Sequence, residues 1–208
     1  MVNALRCTQV AVETLERRCD VSHGAGVTMV RQTLQDVAAE ALPEGFSLRR
    51  YRSGDEAVWT RIWMTADIFN QVTPETFQRE FGGQVEALPE RMYFLCDSGG
   101  REVGTATAWF GKAEVDAEAG VVHWVAIVPA MQGQGLAKPL MAAVLLRLKE
   151  LGYRRSYLIT QEARLAAINL YLDLGFEPQI RSEGERAAWK RVRGQLRGSR
   201  LEKMNLDA

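Results

Sequence analysis

The chain has 208 residues, 47% of them hydrophobic and 25% charged, which suits one globular domain with a full core rather than a disordered or membrane-spanning chain. Its 26 lysines and arginines balance 26 aspartates and glutamates, so no net field draws it to nucleic acid or to an anionic membrane surface. Cys7, Cys19 and Cys96, with only His23 and His123 as further soft ligands, lack the paired spacing of a metal centre and fit free thiols in a reducing cytoplasmic setting.

Residues 1–28 carry weak amphipathic character and end in Ser22-His23-Gly24-Ala25-Gly26, which reads as a flexible N-terminal extension. Residues 29–45 form a lead-in segment that closes on Pro43-Glu44-Gly45, and Phe46, Leu48 and Tyr51 then alternate as in a first strand. Ser53-Gly54-Asp55-Glu56 supplies turn and capping chemistry for an aromatic-rich helix with Val58, Trp59, Ile62, Trp63, Ile68 and Phe69. Thr73-Pro74-Glu75-Thr76 starts a second helix, whose Phe77, Phe81, Val85 and Leu88 keep helical spacing through Gly82 and Gly83.

Two strands, Arg91 to Cys96 and Glu102 to Phe110, flank the turn Asp97-Ser98-Gly99-Gly100. A polar loop, 111–120, leads to the most informative stretch. Val121, Val122, Trp124, Val125, Ile127 and Val128 make an apolar strand ended by Pro129, and from Leu136 the period changes to that of a helix through Leu140, Val144, Leu148 and Leu151, stopped by Gly152. Gly133 and Gly135 stand between the two elements, where a missing side chain lets backbone approach a ligand. The first amides of a helix lack intrahelical partners and carry partial positive charge, so this junction suits a phosphate. A P-loop would need a Lys-Ser/Thr pair and a dinucleotide fingerprint a third small residue; both are missing, which sets aside nucleotide hydrolysis and nicotinamide chemistry.

Downstream, Tyr157 to Thr160 reads as a strand and Ala163 to Leu174 as a helix closed by Gly175-Phe176. The segments 176–180 and 186–192 around Ser182-Glu183-Gly184-Glu185 read as a closing hairpin whose exposed edges offer a route to a homodimer. Residues 193–208 form a polar C-terminal tail.

Gln132-Gly133-Gln134-Gly135-Leu136-Ala137, a Gln/Arg-x-x-Gly-x-Gly/Ala pattern, resembles the acyl-CoA loop of the GNAT superfamily of N-acyltransferases, and Ala167-x-x-Leu170-Tyr171-x-x-x-Gly175-Phe176 resembles that family's downstream helix. The order β-α-α-β-β-β-α-β-α-β-β over residues 46–192 is similar to the GNAT arrangement, so the resemblance implies an α/β fold with a mixed, mostly antiparallel central sheet, flanking helices and a splayed parallel strand pair that holds acyl-CoA. It further implies that the backbone of Val125 and Ile127 binds the pantetheine arm of acetyl-CoA and that Gln132, Gly133, Gln134, Gly135, Leu136 and Ala137 take the pyrophosphate, with Lys138 near the phosphates. Arg164 stands where many relatives carry an asparagine on the pantetheine; it cannot accept a hydrogen bond but can reach a phosphate.

The implied reaction is acetyl transfer from acetyl-CoA to a primary amine, a small molecule or a protein amine, by direct attack and without a metal. Tyr171 would protonate the leaving thiolate. His123 suits the base, with a water relay or the loop acids Glu114, Asp116 and Glu118 as alternatives, because Val121 occupies the place of the carboxylate used by some relatives. Trp59, Trp63, Phe69 and Phe77 would line the acceptor pocket or simply form core. A non-catalytic acyl-CoA-binding sensor or scaffold of the same fold is the competing reading.

Overall fold

Seven strands form one sheet: β1 (Gly26–Arg31), β2 (Ser47–Arg50), β3 (Met92–Cys96), β4 (Glu102–Trp109), β5 (Ala119–Ile127), β6 (Arg155–Gln161) and β7 (Glu177–Gln179). Their order is β2-β3-β4-β5-β6-β1-β7, in a computed structural model that describes residues 26–112 and 118–196. The helices are α1 (Glu56–Ala66), α2 (Pro74–Phe81), α3 (Leu88–Arg91), α4 (Ala137–Glu150), α5 (Leu165–Asp173) and α6 (Glu183–Gln195). Pairing is antiparallel from β2 through β5 and parallel between β5 and β6. This is the mixed, mostly antiparallel α/β arrangement expected from the sequence.

The chain divides into two compact units. The larger comprises Met29–Leu158 and Leu170–Glu177. Its core gathers Trp59, Ile62 and Trp63 of α1, Phe77 and Phe81 of α2, and Met92 and Phe94 of β3. These positions recur at helical and at alternating strand spacing, as burial of one face demands. The smaller unit contains Ile159–Asn169 and the described residues from Pro178 onward. There Ser182 caps α6, its Oγ accepting the Glu185 amide at 3.2 Å, and Arg191 pairs with Glu162 at 2.9 Å.

Local chemistry sets the ends of α1 and α2. Asp55 ties the turn before α1 to β2: its carboxylate accepts both terminal nitrogens of Arg49, at 2.7 and 2.8 Å, and the Arg52 amide at 2.6 Å. Burial pushes the Asp55 carboxyl up, but the Arg49 and Arg52 hydrogen bonds and the nearby positive charges bring it below the usual aspartate value. Thr73 and Thr76 form a reciprocal capping box at the start of α2, with Pro74 in the first turn.

Three segments differ from the sequence reading. Gly26–Arg31 is a strand, with Val27 and Met29 fully buried, ahead of the strand expected first; its alternation is too short to stand out beside the glycine-rich stretch before it. The expected second helix breaks at Gly82, continues as a 3₁₀ turn, 82–87, and resumes as α3, because Gly82-Gly83 favours no helix and Gln84 adopts φ −148°. Arg186 to Val192, expected as the second strand of a hairpin, lies within α6: Ala188, Trp189 and Val192 are its buried face, a helical spacing. The homodimer route through that hairpin loses its second strand, and β7 itself stands at the sheet edge. Residues 1–25 and 197–208, and with them Cys7, Cys19, His23 and most of the tail, lie outside the described residues, as do Glu114 and Asp116.

Gly120 sets how closely α4 approaches β5. A Cβ at this position would stand 2.5 Å from Leu148 Cδ2 and 2.9 Å from Tyr153 Cδ2, and Leu148 is fully buried. Gly120→Ala is expected to lower unfolding free energy by about 1–3 kcal/mol through overpacking; urea denaturation measures it, and an unchanged midpoint would contradict this packing.

Candidate active site

Strand β5 is regular at its start and irregular where the sequence reading places the donor. Its registered pairs with β6 are Ala119↔Arg155, Gly120↔Ser156 and Val121↔Tyr157, yet β5 runs six residues further, to Ile127. Against β4 the register shifts: Thr107 faces His123 and Thr105 faces Ala126, so Trp124 and Val125 together oppose Ala106. That is a β-bulge, and Trp124 carries its strain, with φ +50°, the one left-handed non-glycine among the described residues. His123, Trp124 and Val125 are each partly exposed although they lie on a central strand, between buried Val122 and Ala126. Parallel pairing thus ends just where the backbone opens.

Aromatic packing holds the bulge in place. Trp63 meets Trp124 edge-on with ring centroids 4.6 Å apart, and Trp59 does so at 5.0 Å. Trp59, Trp63 and Phe77 are 0, 5 and 3% exposed; they are core and form the clamp on β5 rather than the wall of an open acceptor pocket. Phe69 follows the end of α1, in a turn where its amide donates to Asp67 at 2.9 Å.

Past the bulge the chain makes a 3₁₀ turn, Pro129–Met131, and then the glycine loop. The side chain of Gln132 folds back so that Nε2 donates to the Ile127 carbonyl at 2.8 Å, while Gln134 Nε2 reaches the Ala130 carbonyl at 3.4 Å. Gly133 and Gly135 both have φ +76°, and a Cβ on either would meet nothing within 4 Å. Conformation, not crowding, requires glycine here, and the space above both is open. Among the described residues the amides from Gly133 to Lys138 donate to no backbone carbonyl, and the Leu140 amide donates to the Leu136 carbonyl at 3.3 Å. Leu136 is the N-cap and Ala137 the first residue of α4, so a short arc of unsatisfied donors faces open space with the helix dipole behind it. Lys138 is already engaged, its Nζ lying 2.6 Å from Glu40 Oε1 of the lead-in segment.

Tyr171 lies on α5, buried to 8% exposure, with its ring against Phe176 at 6.1 Å and its carbonyl accepting the amides of Leu174 and Phe176. It belongs to the same compact unit as His123, Val125, Ile127 and the glycine loop. Arg164 belongs to the smaller unit, where its Nε donates to Gln161 Oε1 at 3.2 Å. Glu118 lies beside Arg155 and Arg154, at 3.6 and 3.9 Å, at the foot of β5 rather than at the bulge.

One residue at the bulge escaped the sequence reading. Glu80, near the end of α2, accepts Trp124 Nε1 at 3.3 Å and has the same oxygen 3.7 Å from His123 Nε2. Burial pushes its carboxyl up, but His123, through hydrogen bond and charge, together with Trp124 and Arg79, brings it below the ordinary glutamate value. Its signal in the sequence is slight: an acid beside the core residue Phe81, on a helix whose apolar stripe already explains the pattern. Among the described residues no group of acids, histidines and cysteines is arranged to hold a metal ion.

The family model for the acetyltransferase (GNAT) family matches residues 62–176, a span that contains the bulge, the glycine loop and Tyr171. The chain belongs to the GNAT family. The GNAT chain is 30% identical over 146 residues to a mycothiol acetyltransferase of Pseudarthrobacter chlorophenolicus, covering 68% of this chain and 45% of that protein. It is 32% identical over 155 residues to one of Thermobispora bispora, covering 71% and 52%; the chain thus spans about half the length of these curated relatives. The fold matches a GCN5-related N-acetyltransferase of Sphaerobacter thermophilus with TM-score 0.64 and 20% identity, over 82% of this chain and 53% of that one. It also matches the ribosomal-protein-S18-alanine N-acetyltransferase of Escherichia coli, with TM-score 0.52 and 21% identity, over 65% and 79%.

Glu80 links this GNAT site to stability. A carboxyl held below its ordinary value contributes stability that is present above the unfolded value of about 4.3 and is lost as pH falls through the folded one. Glu80→Gln is therefore expected to cost about 1 kcal/mol at pH 7 and progressively less below about pH 4. Urea midpoints at pH 7 and at acid pH test this, and an equal deficit at both would contradict it.

Proposed function

We propose that this chain is an N-acetyltransferase that moves an acetyl group from acetyl-CoA to a primary amine by direct attack in a ternary complex. The observation that carries the reading is the opening of β5: parallel pairing stops at Val121 while the strand runs on to Ile127 and into an arc of unsatisfied amides. A pantetheine arm is an extended chain of amides, and it can add to such an edge as a further strand would. In this reading the backbone of Val125 and Ile127 takes the arm, and Gly133 to Ala137 take the pyrophosphate on amides and helix dipole. Lys138 reaches a phosphate only by leaving Glu40.

The chemistry assigns each proton. His123 accepts one from the acceptor ammonium; the freed nitrogen pair attacks the thioester carbonyl carbon; the C–S bond breaks as the carbonyl reforms; Tyr171 gives its phenolic proton to the departing thiolate, and the extra proton on the new amide nitrogen passes through solvent to the Tyr171 phenolate. Loss of its proton to solvent restores His123. Cys96, a buried free thiol that burial pushes towards the protonated form, supports a cytoplasmic setting. The names of the curated relatives support an amine on a small thiol-containing molecule as one acceptor to try first.

A panel of primary amines incubated with acetyl-CoA and followed by release of the CoA thiol tests the activity. Tyr171→Phe is expected to lower kcat by about 10²-fold or more while acetyl-CoA affinity stays within about twofold. Equal loss of both would contradict the assigned role, and binding of acetyl-CoA without turnover of any amine would favour a non-catalytic sensor. Gly135→Val forces a β-branched residue into a left-handed conformation, at about 1–2 kcal/mol, and narrows the approach to the loop. It should abolish stabilisation by CoA; retained affinity would refute the loop assignment.

A further inference from the structure

The mechanism leaves unused a partly buried carboxylate beside its base. Glu80 projects from α2 onto the bulge, where its Oε2 accepts a hydrogen bond from Trp124 Nε1 at 3.3 Å and stands 3.7 Å from Nε2 of the adjacent His123. Its other oxygen faces Arg79 Nε at 3.3 Å. The His123 ring is fixed on two further sides, edge-on to Phe81 with centroids 5.9 Å apart and stacked at 17° on Trp109 at 6.5 Å. Among the described residues Arg79 pairs with Glu80, Thr107 of β4 lies across from His123, and the rings packed around His123 and Trp124 from α1, α2 and β4 are uncharged. An imidazole with one nitrogen turned to a carboxylate carries its proton there and leaves the lone pair of the other nitrogen outward.

We propose that Glu80 is a positioning residue: its carboxylate holds the Nε2–H of His123, so that Nδ1 is the atom that receives the acceptor's proton. The inference rests on the reading of His123 as the base. In the step itself the ammonium N–H bond breaks, the proton passes to Nδ1, and the resulting imidazolium stands beside the Glu80 carboxylate while the nitrogen pair attacks the thioester. The same carboxylate bonds Trp124, so the residue that orients the base also pins the strained backbone that opens β5.

The chain has only two histidines, His23 and His123, so an ¹⁵N-histidine spectrum of this chain near pH 8 contains two imidazoles, and His123→Gln identifies one by its loss. The expected result is His123 as the Nε2–H tautomer, with that proton slow enough in exchange to be seen and lost from view in Glu80→Met. A Nδ1–H tautomer in the wild-type protein, or an Nε2–H signal unchanged in Glu80→Met, overturns the proposal. Because the wild-type tautomer alone can refute it, the test survives a variant that fails to fold. Kinetics with the amine turned over in the panel add a second arm. Glu80→Gln should lower kcat about tenfold, leave the KM for acetyl-CoA unchanged, and cost nothing further in a His123→Gln background. The same loss in both backgrounds would make Glu80 merely structural and sink the inference. Full activity of His123→Gln would instead sink the reading of His123 as base, an outcome separable from the spectrum.

Discussion

A strand in the middle of a sheet has both edges claimed by neighbours, so it has no backbone to offer a ligand unless one neighbour is turned away. In this protein β5 carries a single inserted residue against β4. The bulge at Trp124 and Val125 shifts the register against β4, the parallel pairing with β6 ends at Val121, and the remaining six residues of β5 run into the glycine loop with open space beside it. A left-handed tryptophan is unfavourable on its own, by about 1–3 kcal/mol, and persists only where the surroundings over-determine it. Trp59 and Trp63 from α1 and Glu80 from α2 do so, each touching Trp124.

The two helices between β2 and β3 therefore have a definite role. Their aromatic stripe reads in the sequence as either core or acceptor pocket, and the burial of Trp59, Trp63 and Phe77 places them in the core. Their contribution to the site is mechanical: they clamp the strand that carries His123, and through Glu80 they reach His123 itself. Beside them, His123 and Glu80 are partly exposed, with Trp109 stacked behind His123.

The strand, glycine turn and helix proposed to hold the donor were legible in the sequence because they depend on local rules. Glycines between a β-branched run and a 3.6-period run mark a strand-to-helix turn whatever surrounds them, and both turned out left-handed as that turn needs. The helix that carries Tyr171 was legible from the Gly175-Phe176 stop behind it. What remained hidden depends on contacts distant in sequence. Glu80 and His123 are 43 residues apart, and nothing in either local pattern joins them. The bulge is invisible because Trp124 and Val125 extend an apolar run and do not interrupt it. Arg186 to Val192 misled because Ala188, Trp189 and Val192 suit a strand as well as a helix in so short a window, and the Ser182 cap decided the matter.

Among the described residues the backbone amides from Gly133 to Lys138 donate to no backbone carbonyl, and in the proposed reading acetyl-CoA gives them a partner. Hydrogen exchange measured by mass spectrometry, with and without saturating acetyl-CoA, reads those amides directly. Protection should rise in the peptides spanning Val125 to Lys138, the end of β5, the glycine loop and the first turn of α4, and stay unchanged in β2 and β3. Protection elsewhere with none in Val125 to Lys138 would contradict the claim that this opened strand and its loop hold the acetyl donor.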